Sequence, residues 1–248
     1  MDRKIRVGAV SYLNTKPLIY GFEKGMMKDE INLIIDYPAN IAAQLLNNEI
    51  DIGLVPVAVL KEMNEYQIIT DYCIGSEGEV ASVCIFSEVP IEEIKVVLLD
   101  YQSRTSVALA KILMKEFWKI NPIIEKANID FREKISGTTA AVVIGDRAFE
   151  QRIQSKYKYD LGEAWMSFTG LPFVFAAWVS NKQLSPQFID NFNAANAFGL
   201  QHLEEVLQLN PYEAFDLKAY YNHYISFDLT DKKRKGLQLF LDKLDSFS

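Results

Sequence analysis

The chain has 248 residues, of which 49% are apolar and 24% are charged, a composition typical of folded globular proteins. Its formal net charge of -7 argues against binding to a nucleic-acid backbone, which normally requires a basic face. The length allows one large α/β domain or two lobes of about 100–130 residues each. No apolar run reaches the length of a membrane span, and the charged start shows no signal peptide. We therefore expect a cytoplasmic protein without a membrane partner.

Strand and helix signals alternate along the first part of the chain. Apolar runs of strand length predict strands at 5–10, 31–37, 50–55 and 66–70. Helical patterns follow these runs at 18–24, 41–46 and 57–64. Asn40 is expected to cap the second helix. This order of elements favours a parallel sheet with right-handed crossovers.

A second β/α unit follows a turn-rich break at 75–79. Further strand-like runs occur at 80–87, 95–99, 140–144 and 173–179. Helical patterns occur at 107–117 and 147–153, and again along most of the chain after 180. The chain is expected to cross between the two β/α units at the strand-like runs 80–87 and 173–179. Two units joined in this way predict a two-lobed α/β fold. We expect residues 1–86 and 178–248 to form the first lobe, residues 87–177 to form the second, and a central ligand cleft to lie between them.

The chain has two cysteines and two histidines, and their positions limit the metal sites and catalytic sites that it could form. Cys73 and Cys84 lack the spacing of metal ligands, and in a cytoplasmic protein they are expected to be reduced and buried. His202 and His223 lie in the helical C-terminal part, far in sequence from the polar loops. A histidine-based triad or a zinc site is therefore not expected.

Polar residues follow the predicted strands, at the points where an open α/β sheet binds its ligands. The segment 11–18, SYLNTKPL, comes directly after the first strand, and its proline suits the first turn of a helix. Free N–H groups at such a helix start favour anions. Asn14 would orient a substrate or stabilise charge, because an amide is almost non-basic. Ser82 lies on the predicted strand at 80–87, and a single serine there is weaker evidence for a functional site.

Two further loops combine polar residues with the start of a helix. In residues 103–106, SRTS, hydroxyls, free N–H groups and the helix dipole together favour a carboxylate or a phosphate. Serine or threonine at this point is equally common as a helix cap, and Arg104 adds a guanidinium suited to carboxylates. Gly145 and Asp146 end another strand, where the aspartate could accept from a substrate hydroxyl or cap the next helix.

Ordered stretches spread over residues 5–180 resemble the chorismate dehydratases of the futalosine route to menaquinone. They are SYLNTKPL (11–18), IDIGLVPV (50–57), ASVCIFS (81–87), LDYQSRTS (99–106), IGDRA (144–148) and YDLGEAWMSFTGLPFVFAAW (159–178). SYLNTKPL together with SRTS and TGLPFVFAAW is the most specific set, whereas the C-terminal helices match only in general character. Ala39 departs from the serine expected after the proline in this family, and the departure removes one hydroxyl.

The resemblance implies a type II periplasmic-binding-protein-like fold that performs catalysis and has no transport role. The implied reaction is the dehydration of chorismate, a dicarboxylate, to 3-[(1-carboxyvinyl)oxy]benzoate by a hydro-lyase that needs no metal or organic cofactor. By their positions in the matching motifs, Asn14 and Ser82 correspond to the catalytic pair. With no histidine in the motifs, a substrate carboxylate is the candidate for the base. The other candidates are assigned to substrate binding: Ser11, Tyr12, Leu13, Ser103, Arg104, Thr105, Ser106, Gly145 and Asp146.

A non-catalytic protein of the same fold that binds or senses a small anion is the main alternative, since fold alone does not decide function. A transport receptor would usually carry a secretory signal or a lipid anchor, and a transcriptional effector domain would follow a DNA-binding helix pair. The naphthoate-forming enzyme of the same pathway shares the fold, and we expect a histidine in its reactive region. We expect a small-molecule dicarboxylate as the partner, and the sequence leaves the oligomeric state open.

Overall fold

The computed structural model describes residues 3–127 and 129–246. In chain order its strands are β1 (Ile5–Val10), β2 (Ile31–Asp36), β3 (Ile52–Pro56), β4 (Gln67–Ser76), β5 (Val83–Ser87), β6 (Val96–Leu99), β7 (Ile123–Lys126), β8 (Thr139–Ile144), β9 (Tyr157–Asp160), β10 (Phe173–Ser180) and β11 (Ser226–Asp228). Its α-helices are α1 (Lys16–Glu23), α2 (Pro38–Leu46), α3 (Arg104–Ile112), α4 (Asp146–Gln154), α5 (Leu161–Thr169), α6 (Pro186–Gln201), α7 (Leu203–Leu209), α8 (Leu217–Ala219) and α9 (Asp231–Asp245). Short 3₁₀ turns lie at Leu13–Thr15, Val57–Glu62, Ile91–Glu93 and Phe131–Lys134, and π-helical turns at Leu113–Phe117 and Tyr220–Tyr224.

The first sheet has six strands in the order β11-β4-β10-β3-β1-β2. β1 pairs in parallel with both β2 and β3, which confirms the parallel unit predicted for the start of the chain. β10 is antiparallel to β3 and β4. Both β3 and β10 are buried along their whole length, as expected for strands that are covered on both faces of a sheet.

The second sheet has five strands in the order β7-β6-β8-β5-β9. β6 is parallel to β7 and β8, whereas β5 is antiparallel to β8 and β9. The two sheets confirm the predicted two-lobed α/β architecture. We call the part built on the six-stranded sheet the first lobe, and the part built on the five-stranded sheet the second lobe.

The chain passes from the first lobe to the second at residues 77–82, and it returns between β9 and β10. The boundaries predicted after residues 86 and 177 instead fall inside β5 and β10. Both strands are buried at every position, so their almost entirely apolar sequences do not reveal which sheet they join. We propose lobe boundaries within the two connections.

The C-terminal helices pack on the first lobe. α6 lies against α1, and α9 lies against β10. Trp178 and Phe192 meet edge to face with their ring centroids 5.0 Å apart. The fully buried Lys233 donates to the carbonyl oxygens of Ser226 and Asp228 at 2.8 and 2.6 Å, which ties α9 to β11.

The structure contradicts several predictions about individual helices. Asn40 lies inside α2, and its amide donates to Asp36 at 2.9 Å instead of capping the helix. The cap prediction is wrong because α2 already begins at Pro38, a residue suited to the first helical turn. The segment predicted as a helix at 57–64 forms a 3₁₀ turn. α3 begins at Arg104, three residues before the predicted start.

The strands β7, β9 and β11 and the helix α5 were not predicted. Each of these strands has at most four residues, too few for alternation to be recognised in a sequence. Cys73 and Cys84 are unpaired and buried, as predicted. In the part of the chain that the structure describes, no helix combines the length and the apolar character needed to cross a membrane.

Candidate active site

A cavity lies in the cleft between the two lobes, a place where small-molecule sites tend to form. We call it the cleft pocket. Residues from both lobes line it: Val10, Tyr12, Asn14, Pro38, Pro56, Ile74, Val80, Ser82, Val83, Ser103, Ser106, Ile144, Gly145, Phe175 and Ala176. Apart from the phenol of Tyr12, none of these lining side chains is titratable. Within residues 3–127 and 129–246, no group of three or more His, Cys, Asp or Glu side chains is placed to hold a metal ion.

Asn14 and Ser82, the predicted catalytic pair, both line the cleft pocket. Asn14 lies in the 3₁₀ turn between β1 and α1, and Ser82 comes directly before β5. The phenol oxygen of Tyr220 lies 2.7 Å from Ser82 Oγ, and the side chain of Asn14 lies nearby. Burial raises the pKa of Tyr220 far above its usual range, so this phenol stays neutral. The fold therefore places a third side chain, Tyr220, beside the predicted pair.

The backbone in front of Ser82 is held in an uncommon conformation. Ala81 has a φ of 62°, a region that residues other than glycine rarely occupy. The Asp160 carboxylate stabilises this turn, because it accepts from the N–H groups of Val80 and Ala81 at 3.0 and 2.8 Å. The N–H of Gly145 also donates to the carbonyl oxygen of Ser82 at 2.9 Å. Contacts from two directions thus fix the position of Ser82.

The start of α3 supplies a second polar region of the cleft pocket. Ser103 caps the helix by accepting from the N–H of Ser106 at 3.0 Å. Both serines line the cleft pocket and are largely buried. The other N–H groups of the first turn have no acceptor within the helix, and the helix dipole places partial positive charge there. This region can hold a carboxylate without a charged side chain.

Arg104 and Thr105 do not line the cleft pocket. The guanidinium of Arg104 pairs with Glu62 in a separate depression of the surface. Thr105 is buried, and its Oγ1 accepts from the N–H of Ala58 at 3.0 Å. The contacts of these two residues join α3 to the 3₁₀ turn after β3, which gives both a structural role between the lobes.

Replacement of Arg104 by alanine is expected to leave the KM for substrate unchanged, because the guanidinium is engaged outside the cleft pocket. The loss of this exposed ion pair should lower the free energy of unfolding by about 0–1 kcal/mol. Steady-state kinetics and urea denaturation measure the two effects. Glu62→Ala removes the same ion pair from the other side and serves as the control. A clear rise in KM for Arg104→Ala alone would restore Arg104 as a substrate anchor.

Gly145 lets a loop of the second lobe approach Tyr12 of the first. It has a φ of 64° and a ψ of -151°, a combination open essentially only to glycine. A Cβ atom at this position would lie 3.1 Å from the Tyr12 ring, so the ring packs directly on the glycine backbone. The Tyr12 phenol donates to Gln102, which also accepts from Arg147 at 2.9 Å. Burial raises the pKa of Tyr12.

Ser11, Leu13 and Asp146 lie beside the cleft pocket and do not line it. The N–H of Leu13 donates to Asp146 Oδ1 across the lobes at 3.2 Å. The carbonyl oxygen of Leu13 accepts from the phenol of Tyr221 at 2.9 Å. Ser11 is exposed, and its N–H donates to the carbonyl oxygen of Asp36 at 3.1 Å. These contacts support the loop that carries Asn14.

The stability of the protein is expected to depend on pH through Asp146, because burial raises the pKa of this carboxyl from 3.8 to about 6. Between these two pH values the folded state keeps a proton on this carboxyl, whereas the unfolded state has lost it. The contribution of this carboxyl to the free energy of unfolding is therefore complete below about pH 4, and it is lost as the pH rises through 6. The change amounts to at most about 3 kcal/mol.

Asp146→Asn tests this dependence, because asparagine can still accept from the N–H of Leu13 and cannot ionise. Relative to the wild type, the variant should gain stability between pH 4.5 and 7.5 in urea denaturation. Asp190→Asn, at an exposed position of α6, should follow the wild type throughout. An equal pH dependence in wild type and Asp146→Asn would show that this carboxyl does not titrate as expected.

Tyr220 is the functional candidate that the sequence did not reveal. It lies 138 residues from Ser82, at the start of a π-helical turn, in a part of the chain without a specific motif match. The available signal is the adjacent tyrosine pair at 220 and 221, and paired aromatic residues usually belong to a core. Only the folded chain shows that its hydroxyl reaches Ser82.

The sequence matches known proteins over nearly its whole length. A profile of a family described as menaquinone biosynthesis matches residues 5–246. A chorismate dehydratase from Thermus thermophilus is 26% identical over 261 residues, which cover 96% of this chain and 94% of the relative. A chorismate dehydratase from Campylobacter jejuni is 24% identical over 242 residues, which cover 94% of this chain and 95% of the relative.

Solved structures share the fold. A crystal structure of a protein from Archaeoglobus fulgidus matches with a TM-score of 0.78 at 14% identity, covering 98% of this chain and 97% of that one. The periplasmic aliphatic sulphonate binding protein SsuA from Escherichia coli matches with a TM-score of 0.64 at 13% identity, covering 100% of this chain and 92% of that one. The likeness confirms the predicted periplasmic-binding-protein-like fold, and at these identities it concerns the fold alone.

Proposed function

Because this chain belongs to the menaquinone-biosynthesis family, we propose that it dehydrates chorismate to 3-[(1-carboxyvinyl)oxy]benzoate as a hydro-lyase of the futalosine route. The two chorismate dehydratases that match nearly the whole chain support this substrate. The observation that carries the proposal is the cleft pocket, where Asn14 and Ser82 lie on the wall and Tyr220 hydrogen-bonds to Ser82 from behind it. The cytoplasmic location remains a prediction.

The reaction breaks two bonds on neighbouring carbons of the ring. The carbon that bears the enolpyruvyl ether loses a proton to a base, and the adjacent carbon loses its hydroxyl group. The electron pair of the broken C–H bond completes the aromatic ring, and the proton and the hydroxide leave as water. Because aromatisation supplies the driving force, the protein has mainly to orient the substrate and to stabilise charge as it develops.

Asn14 and Ser82 supply neutral hydrogen bonds at the reacting centre. The amide of Asn14 and the hydroxyl of Ser82 can both donate to the departing oxygen, where negative charge develops. Fixed donors of this kind act strongly in a site shielded from water, because the local dielectric is low. The start of α3, with Ser103 and Ser106, holds one substrate carboxylate at a distance from the bond that breaks.

A second substrate carboxylate acts as the base. The side chains that line the cleft pocket include no carboxylate, imidazole or amine. The phenol of Tyr12 has a raised pKa and stays protonated at neutral pH, which makes it a poor proton acceptor. Chorismate itself carries two carboxylates, so it brings a base into a pocket whose own groups are neutral.

The test is incubation of the purified, chelator-treated protein with chorismate, followed by mass spectrometry and ultraviolet spectroscopy. We expect the loss of one water and the absorption of an enolpyruvyl benzoate. Unchanged chorismate, with tight binding by calorimetry, would replace the proposal with the alternative of a small-anion binding protein. Neither turnover nor binding would reject chorismate as the ligand.

A further inference from the structure

Tyr220 reaches the catalytic pair from behind the wall of the cleft pocket. Its side chain is 1% exposed and is not among the lining residues. Its ring packs edge to face on Phe149 and Phe215, with centroid separations of 4.9 and 6.2 Å. It also begins a π-helical turn, a feature that often marks functional sites. The phenol oxygen is therefore held rigidly beside Ser82.

The hydrogen bond between this phenol and Ser82 has a direction. The Tyr220 hydroxyl is almost fully buried, and it lies 2.7 Å from Ser82 Oγ. A buried O–H group is rarely left without an acceptor, so the phenol gives its proton to Ser82 Oγ. The proton of Ser82 is then left to point into the cleft pocket.

We propose that Tyr220 is a positioning residue that directs the hydroxyl proton of Ser82 toward the substrate. Without the phenol, the Ser82 hydroxyl could turn its proton away from the pocket, and the donor would be correctly placed only part of the time. Burial keeps Tyr220 protonated, so the direction of this donor persists across neutral pH. Because Ser82 acts in the dehydration proposed above, the kinetic effect of Tyr220 rests on that function.

Kinetics of Tyr220→Phe test the role, since this change removes one oxygen and keeps the ring. We expect kcat to fall about 10- to 100-fold, the effect of one oriented hydrogen bond. KM should stay unchanged, because Tyr220 does not line the cleft pocket. In a Ser82→Ala background the same substitution should have almost no effect on kcat, because Tyr220 acts through Ser82.

Tyr20→Phe is the matched control. Tyr20 is 2% exposed, and its phenol bonds to Glu205 away from the cleft pocket. This variant should keep the wild-type kcat and KM. The proposal is overturned if Tyr220→Phe keeps the wild-type kcat, or if it lowers kcat by the same factor with and without Ser82.

A measurement that needs no turnover separates this proposal from the proposed function. Proton NMR of protein with labelled tyrosine should show a hydroxyl resonance that Tyr220→Phe abolishes. The resonance should shift in Ser82→Ala, and it should stay in place in Tyr20→Phe. A shift in Ser82→Ala without any chorismate turnover would support the hydrogen bond from Tyr220 to Ser82 and reject the dehydration. A resonance that does not move in Ser82→Ala would overturn the role of Tyr220, whatever the turnover.

Discussion

Substitution of Asn14 by alanine is expected to lower kcat about 100- to 1,000-fold, the usual effect of removing one fixed donor from a site that stabilises developing negative charge. The amide lines the cleft pocket, so its loss removes one donor from the proposed reacting centre. KM should change far less, because the carboxylate site that we propose at the start of α3 does not involve Asn14. Initial rates followed by the ultraviolet absorption of the aromatic product measure both constants.

Asn47→Ala is the control for this substitution. Asn47 is exposed at the C-terminal end of α2, and its loss should leave both constants at their wild-type values. Thermal melting of Asn14→Ala establishes that the variant is folded. A folded Asn14→Ala protein with the wild-type kcat would remove Asn14 from the catalytic pair.

Substitution of Gly145 by alanine is expected to lower the stability and the activity together. The backbone conformation of Gly145 is strained for any other residue, at about 1–3 kcal/mol. The new methyl group would also press on the Tyr12 ring, whose nearest atoms lie 3.1 Å from the Cβ position. Because Tyr12 lines the cleft pocket, a displacement of its ring changes the pocket's shape. We expect kcat/KM to fall at least tenfold, since small misplacements of substrate have large effects on rate.

Gly137→Ala separates these two effects. Gly137 also has a positive φ, 53°, and an added Cβ would meet no atom within 4 Å. This variant should lose stability in urea denaturation and keep the wild-type kinetic constants. If Gly145→Ala lowered only the stability, the contact between Gly145 and Tyr12 would have no part in shaping the cleft pocket.

The sequence could predict those parts of the site that follow directly after apolar strands. β1 and β8 are runs of six residues that are mostly buried, and their strand character is plain from the sequence. Asn14 and Gly145 come after these strands. Since the ends of such strands meet at one edge of a sheet, their position in the sequence already indicates the cleft.

Residues whose roles depend on distant contacts could not be predicted. Arg104 is adjacent to Ser103 in sequence, yet its side chain turns outward to Glu62, 42 residues earlier in the chain. Tyr220 meets Ser82 across 138 residues. Neither contact leaves a local pattern of spacing or polarity. Similarly, β5 and β10 are apolar at nearly every position, so their sequences could not indicate where the chain changes lobes.

The neutral lining of the cleft pocket has a consequence for the speed of substrate capture. The protein carries a net charge of -7, and no guanidinium or ammonium lines the cleft pocket. The dipole and N–H groups of α3 act only at short range, so chorismate, the dianion that we propose as the substrate, first meets the repulsion of this net negative charge. Added salt shortens the reach of that repulsion to about 10 Å at 0.1 M. The bimolecular association rate should therefore increase with ionic strength, the reverse of enzymes that draw in anions with basic side chains.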